Sequence, residues 1–254
     1  MKPEAPASRR LRLDELLIER GLFASRSRAR DAIERGTVRV EGEVAVKPGR
    51  TVAADVVLEI DDPARAYVSR AALKLIAGLD GFGFDPAGCT ALDIGASTGG
   101  FTQVLLERGA AHVTAIDVGH GQMRGEIEAD PRVVSIEGLN ARDLTAADLG
   151  GRIPDFIVSD VSFISLKLAL PPALELAAPG ARAVLLVKPQ FEAGREAIGK
   201  GGLLKNPDDA ERIACSLRDW LDAQPGWRAP GLRPSPIEGG DGNREFLLAG
   251  VKDR

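Results

Sequence analysis

The chain has 254 residues, 44% hydrophobic and 28% charged, a balance that fits one large or two modest globular domains and excludes a disordered or fibrous chain. Two cysteines, Cys89 and Cys215, and two histidines, His112 and His120, are too few for a disulfide framework or a soft-ligand zinc site, so no metal is expected. The net charge of −4 hides a division: residues 1–60 carry 12 basic and 10 acidic side chains, or +2, leaving −6 for the remainder, and ten of the twelve cations are Arg. No apolar run approaches the roughly 20 residues of a bilayer span. The start, Met1-Lys2-Pro3-Glu4, lacks the apolar core of a signal peptide. A reducing, cytosolic compartment without a membrane partner is the expectation.

Leu13, Leu16 and Leu17 recur at helical spacing between Arg12 and Arg20, with Gly21 where a C-terminal cap belongs. Ser25 opens a second helix, Arg-rich along one side, that ends at Gly36. The period then changes to two: Thr37 to Val44 alternates around Gly42 as a hairpin, and Val56 to Ile60 supplies another strand. The order Arg12-Leu13-Asp14, Gly21-Leu22, Ser25-Arg26, Ala29, Ile33, Gly36, Val38, Val40, Gly42 and Lys47-Pro48-Gly49 resembles the S4 RNA-binding module of ribosomal protein S4, pseudouridine synthases and tyrosyl-tRNA synthetases. That resemblance implies contacts to the backbone of structured RNA from Arg12, Arg26, Arg28, Arg30 and Lys47, with Arg65 of the following joint among them. The joint, Asp61 to Val68, holds Pro63 and is too short for a flexible tether. The expected division is 1–61 for the module, 62–68 for the joint and 69–254 for a larger α/β domain.

In that domain Ser69 to Leu79 reads as a helix. Thr90 to Ile94 is a buried strand entering a glycine-rich turn, followed by a helix that closes near Gly109. The turn differs from the GxGxxG that cradles a diphosphate, because Asp93 sets a carboxylate two residues before Gly95. Such a carboxylate suits a cationic ligand such as S-adenosylmethionine. The candidate cofactor residues are therefore Asp93, Gly95, Ala96, Ser97, Thr98, Gly99, Gly100 and Phe101, with Asp117 at the end of the next strand to meet ribose hydroxyls and Asn140 and Asp143 after a third strand, Val133 to Ile136. Ile157 to Asp160 and Ala183 to Lys188 are a fourth and a fifth. Strands alternating with helical text define a doubly wound, mostly parallel Rossmann-like sheet with its ligands at the carboxyl ends.

Asp160 and Lys188 fall at that same edge and carry opposite charges, so they should pair; Lys74 and Glu245 could converge there. The set Lys74, Asp160, Lys188, Glu245 resembles the tetrad of RNA ribose 2′-O-methyltransferases. In that chemistry Lys188 is the base or the group that orients the hydroxyl, Asp160 its partner near the donor methyl, and Lys74 and Glu245 supports. Ser162, Phe163 and Ser165 follow Asp160 and could shape a nucleotide pocket, Phe163 by stacking on a flipped base. With Arg65-Ala66-Tyr67-Val68-Ser69-Arg70, Ser159 to Leu166 and Val187-Lys188-Pro189-Gln190-Phe191-Glu192, the whole order resembles the TlyA family, whose members carry both haemolysin and ribosomal RNA methyltransferase names. The resemblance implies a class I S-adenosylmethionine-dependent enzyme that methylates cytidine ribose in ribosomal subunits. The chain stops at Arg254 without the C-terminal extension of dual-specificity members, which points to the large subunit. Two rivals are a membrane-active haemolysin, for which no amphipathic or apolar insertion segment stands out, and an RNA-binding protein that keeps the fold without catalysis.

Overall fold

The computed structural model describes residues 9–240 and 242–253. The opening residues read above for a signal peptide lie outside them. The chain divides into two compact units that part between Ala66 and Tyr67.

The first unit is α+β. Strand β1 (Arg10–Arg12) runs into α1 (Leu13–Glu19), followed by α2 (Arg26–Glu34), β2 (Val38–Val40), β3 (Glu43–Val44), β4 (Thr51–Ala53) and β5 (Leu58–Ile60). Ser25 caps α2 by accepting from the Arg28 amide, and Gly21 and Gly36 adopt left-handed backbone after their helices, as their positions require. The hairpin β2–β3 turns through Glu41 and Gly42, both at positive φ, and β5 pairs on the other side of β2. The sequence pattern does not announce β1 and β4, which pair with each other over three residues. Leu13, Leu16, Leu17, Ala29, Ile33, Val38 and Val40 form the core. Residues 62–66 of the expected joint fall within this unit and Tyr67 and Val68 in the second: Asp62 takes both arms of Arg35 at 2.9 and 3.0 Å, the Ala64 carbonyl accepts from Arg28, and Arg65 lies over the Phe23 ring.

The second unit continues with α3 (Ala72–Phe82), β6 (Thr90–Ile94), α4 (Gly100–Glu107), β7 (His112–Asp117), α5 (Gly125–Glu128), β8 (Val133–Glu137), β9 (Phe156–Ser159), α6 (Leu166–Ala169), α7 (Pro171–Leu176), β10 (Arg182–Val187), α8 (Pro189–Glu192), α9 (Asp209–Asp222), β11 (Trp227–Pro234) and β12 (Phe246–Lys252). One seven-stranded sheet has the order β11-β12-β10-β9-β6-β7-β8. Its five middle-to-edge strands β10, β9, β6, β7 and β8 are parallel, and β12 runs antiparallel to both of its neighbours. Alternate residues of each strand serve opposite faces. In β10, Val184 and Leu186 join the layer with α3 and α4, whereas Ala183, Leu185 and Val187 join the layer with α6, α7 and α9.

Gly78 of α3 sits so close to β10 that a Cβ would lie 2.6 Å from Val184 Cγ1. Lys74, one turn earlier, shares that face. Gly78→Ala therefore overpacks a stiff β-branched neighbour; urea denaturation of the variant should show a loss of about 1–3 kcal/mol.

Candidate active site

The strand ends build the site. After Ile94 the chain turns through Gly95 at φ +82°, Ser97 at φ +46° and Gly99 at φ +91° into α4. A Cβ on Gly95 would stand 3.0 Å from the Asp160 carbonyl oxygen and the Val161 nitrogen, so glycine here lets two neighbouring strand exits touch. Asp117, at the end of β7, accepts from the Ser97 amide and the Gly119 amide, each at 2.8 Å, and so fixes the turn to the next loop.

A cleft of about 1270 Å³ opens over this edge. Gly95, Ser97, Asp117, Gln122, Asn140 and Arg142 line it from the ends of β6, β7 and β8; Asp160 to Ser165, Leu168, Gln190, Phe191, Arg195 and Ile198 line it from the ends of β9 and β10. Of the expected cofactor residues, Gly95, Ser97, Asp117 and Asn140 thus reach the cleft. Ala96, Gly99, Gly100 and Phe101 are buried behind the turn and Thr98 is half-buried, so these five shape the turn without lining the cleft. Asp143 is exposed and outside the lining.

Asp93 corrects a further expectation. Its side chain does not meet the cleft but is fully buried, with Oδ2 accepting from the Thr102 hydroxyl at 2.7 Å and Oδ1 without a hydrogen-bond partner. Burial pushes its carboxyl up to about 7, against the Thr102 bond and with the charges of Asp160 and Asp117 adding. It lies beneath the turn as a carboxyl that holds its proton to about pH 7.

The four expected catalytic residues form two ion pairs. Lys188 Nζ lies 2.6 Å from Asp160 Oδ1 as a charge contact, while its directed hydrogen bond goes to Ser162 Oγ at 2.8 Å. Lys74 and Glu245 pair with each other, both nearly fully buried and neither among the cleft-lining residues. Asp160 alone of the four is a lining residue. Phe163 is 90% exposed at the rim, holds φ +64°, and packs its ring 5.0 Å from that of Phe191. The segment 199–204 is held by hydrogen bonds: Asn243 accepts from the Leu204 amide and donates to the Gly202 carbonyl, and Gly199 donates to the Leu203 carbonyl. The sequence reading gave no role to Gln190 or Asn243, both buried polar side chains, which stand two residues from Lys188 and Glu245 respectively.

In the first unit the expected RNA contacts are partly occupied. Arg12 and Arg26 converge on the fully buried Asp14, with Nε at 3.0 and 2.9 Å, and Arg26 also reaches Glu15. Burial alone would push the Asp14 carboxyl up, but the hydrogen bonds and charges of the two guanidinia hold it below its ordinary range. Arg28 and Arg65 are engaged as described, Arg30 stands 4.0 Å from Glu34, and Lys47 is exposed.

Sheet order, glycine turn and cleft define a Rossmann-like methyltransferase. The FtsJ-like methyltransferase family model matches residues 67–252, and the S4 domain model matches residues 11–58. The 16S/23S rRNA (cytidine-2′-O)-methyltransferase TlyA of Mycobacterium tuberculosis is 46% identical over 95% of this chain and 90% of its own length. Hemolysin A of Brachyspira hyodysenteriae is 39% identical over 93% and 98%. A solved Streptococcus thermophilus structure described as a hemolysin superposes with a TM-score of 0.73 at 39% identity, covering 96% of this chain and 88% of that one. The chain belongs to the FtsJ-like methyltransferase family, in the TlyA branch that joins this fold to an S4 domain. No helix among the described residues is long and apolar enough to cross a membrane.

Between the ordinary carboxyl value and about 7, the folded protein keeps a proton on Asp93 that the unfolded chain has released, so this group makes stability fall as pH rises through that window. Asp93→Asn keeps an acceptor for Thr102 and cannot ionise. Its stability relative to the parent should improve by roughly 2 kcal/mol between about pH 5 and about pH 8, measured by urea melts at both.

Proposed function

We propose that the protein transfers the methyl group of S-adenosylmethionine to the ribose 2′-hydroxyl of cytidine in ribosomal RNA. The observation that carries this reading is the Asp160–Lys188 pair, whose Asp160 lines the same cleft as Asp117 and the Gly95 turn. Relatives named as rRNA (cytidine-2′-O)-methyltransferases and the S4 domain support ribosomal RNA as the acceptor.

The residues present suit the methyl donor. Gly95 leaves the backbone of the turn open, Asp117 and Asn140 offer carboxylate and amide groups for ribose and base, and the half-buried Asp160 sets a further carboxylate in the lining for a cation. The donor supplies a methyl already activated by its sulfonium. What remains for the chain is to hold a poor nucleophile in line and receive its proton. Lys188, held between Asp160 and Ser162, orients the 2′ oxygen, with Asp160 as its partner, and the hydroxyl proton passes to this pair as the O–CH3 bond forms. Lys74 and Glu245 neutralise one another within the wall and keep α3 and the entry to β12 in register. Phe163, exposed at the rim, stacks on the extruded base.

The deciding experiment is transfer of radiolabelled methyl from S-adenosylmethionine to unmethylated small and large ribosomal subunits, assayed separately. Label on cytidine ribose of either subunit supports the proposal, and the labelled subunit gives the specificity; label on neither, with measurable donor binding, overturns it. Lys188→Ala should lower transfer at least about a hundredfold while donor affinity by calorimetry stays near that of the parent. Full activity in that variant would remove Lys188 from the mechanism.

A further inference from the structure

We propose that Glu192 is a positioning residue that sets Phe163 as the platform for the target base. The inference rests on the assignment of Phe163 made above. Glu192 closes α8, the helix that begins directly after Lys188. Its Oε2 accepts from the Ser165 hydroxyl at 2.5 Å and its Oε1 from the Leu166 amide at 2.8 Å. Ser165 in turn caps α6 by accepting from the Lys167 amide. One carboxylate thus pins the far end of the segment that begins at Asp160.

Phe163 is the residue that needs this. A bulky side chain at φ +64° sits in backbone that L residues rarely adopt, and such a conformation persists only where the surroundings determine it. Two contacts on the segment come from α8: Phe191 packs against the Phe163 ring, and Glu192 holds Ser165 and Leu166. The short helix therefore fixes the ion pair and the aromatic rim together, which places the stacked base in a set relation to the 2′ oxygen. Two donors need two acceptors, and a carboxylate provides them where an amide would present one acceptor and one donor. Burial pushes the Glu192 carboxyl up, while the bonds from Ser165 and Leu166 oppose that shift.

The test is a double-mutant cycle on Glu192→Ala and Phe163→Ala, read as KM for the ribosomal subunit that accepts methyl, with donor affinity measured by calorimetry. Glu192→Ala should raise that KM about tenfold, leave the donor Kd within about twofold, and add less than about twofold once Phe163 is Ala. Additive effects, an unchanged KM, or an equal loss of donor affinity would each overturn the proposal. A Phe163→Ala variant with the parent KM would instead defeat the platform assignment itself, which separates the two failures. If thermal melting shows Glu192→Ala unfolded, Ser165→Ala removes one bond of the clamp: a rise in KM that vanishes in the Phe163→Ala background supports the proposal, and an additive rise overturns it.

Discussion

The in-register parallel pairing of β6, β9 and β10 sets Ile94 beside Ser159 and Ser159 beside Leu185, so three chains leave the sheet at one edge within a strand spacing of one another. Every group of the cleft hangs from that constraint. Gly95, Asp160 and Lys188 are each within one residue of a strand end, and no long loop has to be ordered to assemble them. The same closeness dictates glycine at position 95, since the Asp160 backbone occupies the space a side chain would need. The glycine turn and the acid beside it are thus one steric solution rather than two separate features.

The antiparallel β12 completes the arrangement. An antiparallel strand begins at the edge where its parallel neighbours end: Phe246 pairs with Val187, and Glu245 consequently arrives beside the strand exits although 57 residues separate it from Lys188. There it meets Lys74 of α3 in the buried wall. Removing two charges from water is expensive unless each finds the other, so the pair contributes specificity of docking more than stability; loss of one partner would strand a buried charge. The Lys74–Glu245 pair therefore ties a helix on one face of the sheet to its antiparallel strand.

Much of this was legible in the sequence because the physics was local. Period-two apolar runs, a glycine turn and acids at strand ends give β6, β7, β8, β9 and β10 with errors of one residue, and opposite charges at Asp160 and Lys188 foretell their contact. Where two environments compete, sequence gives no ruling. Asp93 stands next to a glycine turn, yet strand alternation turns it inward to Thr102, a matter of which face is buried. β1 and β4 are three residues each and owe their pairing to tertiary contacts, and the irregular β11, with a bulge between Arg228 and Gly231 and two prolines, carries no clean alternation. Glu192 and Asn243 act on main-chain groups 26 and 39 residues away, at a range where pattern is silent.

The first unit shows the same division between composition and use. Its Arg count reads as a surface for phosphate, but Arg12 and Arg26 each direct donors at the buried Asp14, and Arg28, Arg35 and Arg65 fasten the segment after β5 to the unit. These roles are compatible, because a guanidinium has five donors and the side chains of Arg12 and Arg26 remain about half exposed, at 45% and 50%. A guanidinium already fixed by a carboxylate has less rotamer freedom to lose when it meets a phosphate than one waving in solvent. Asp14, by its burial, turns two flexible cations into oriented ones.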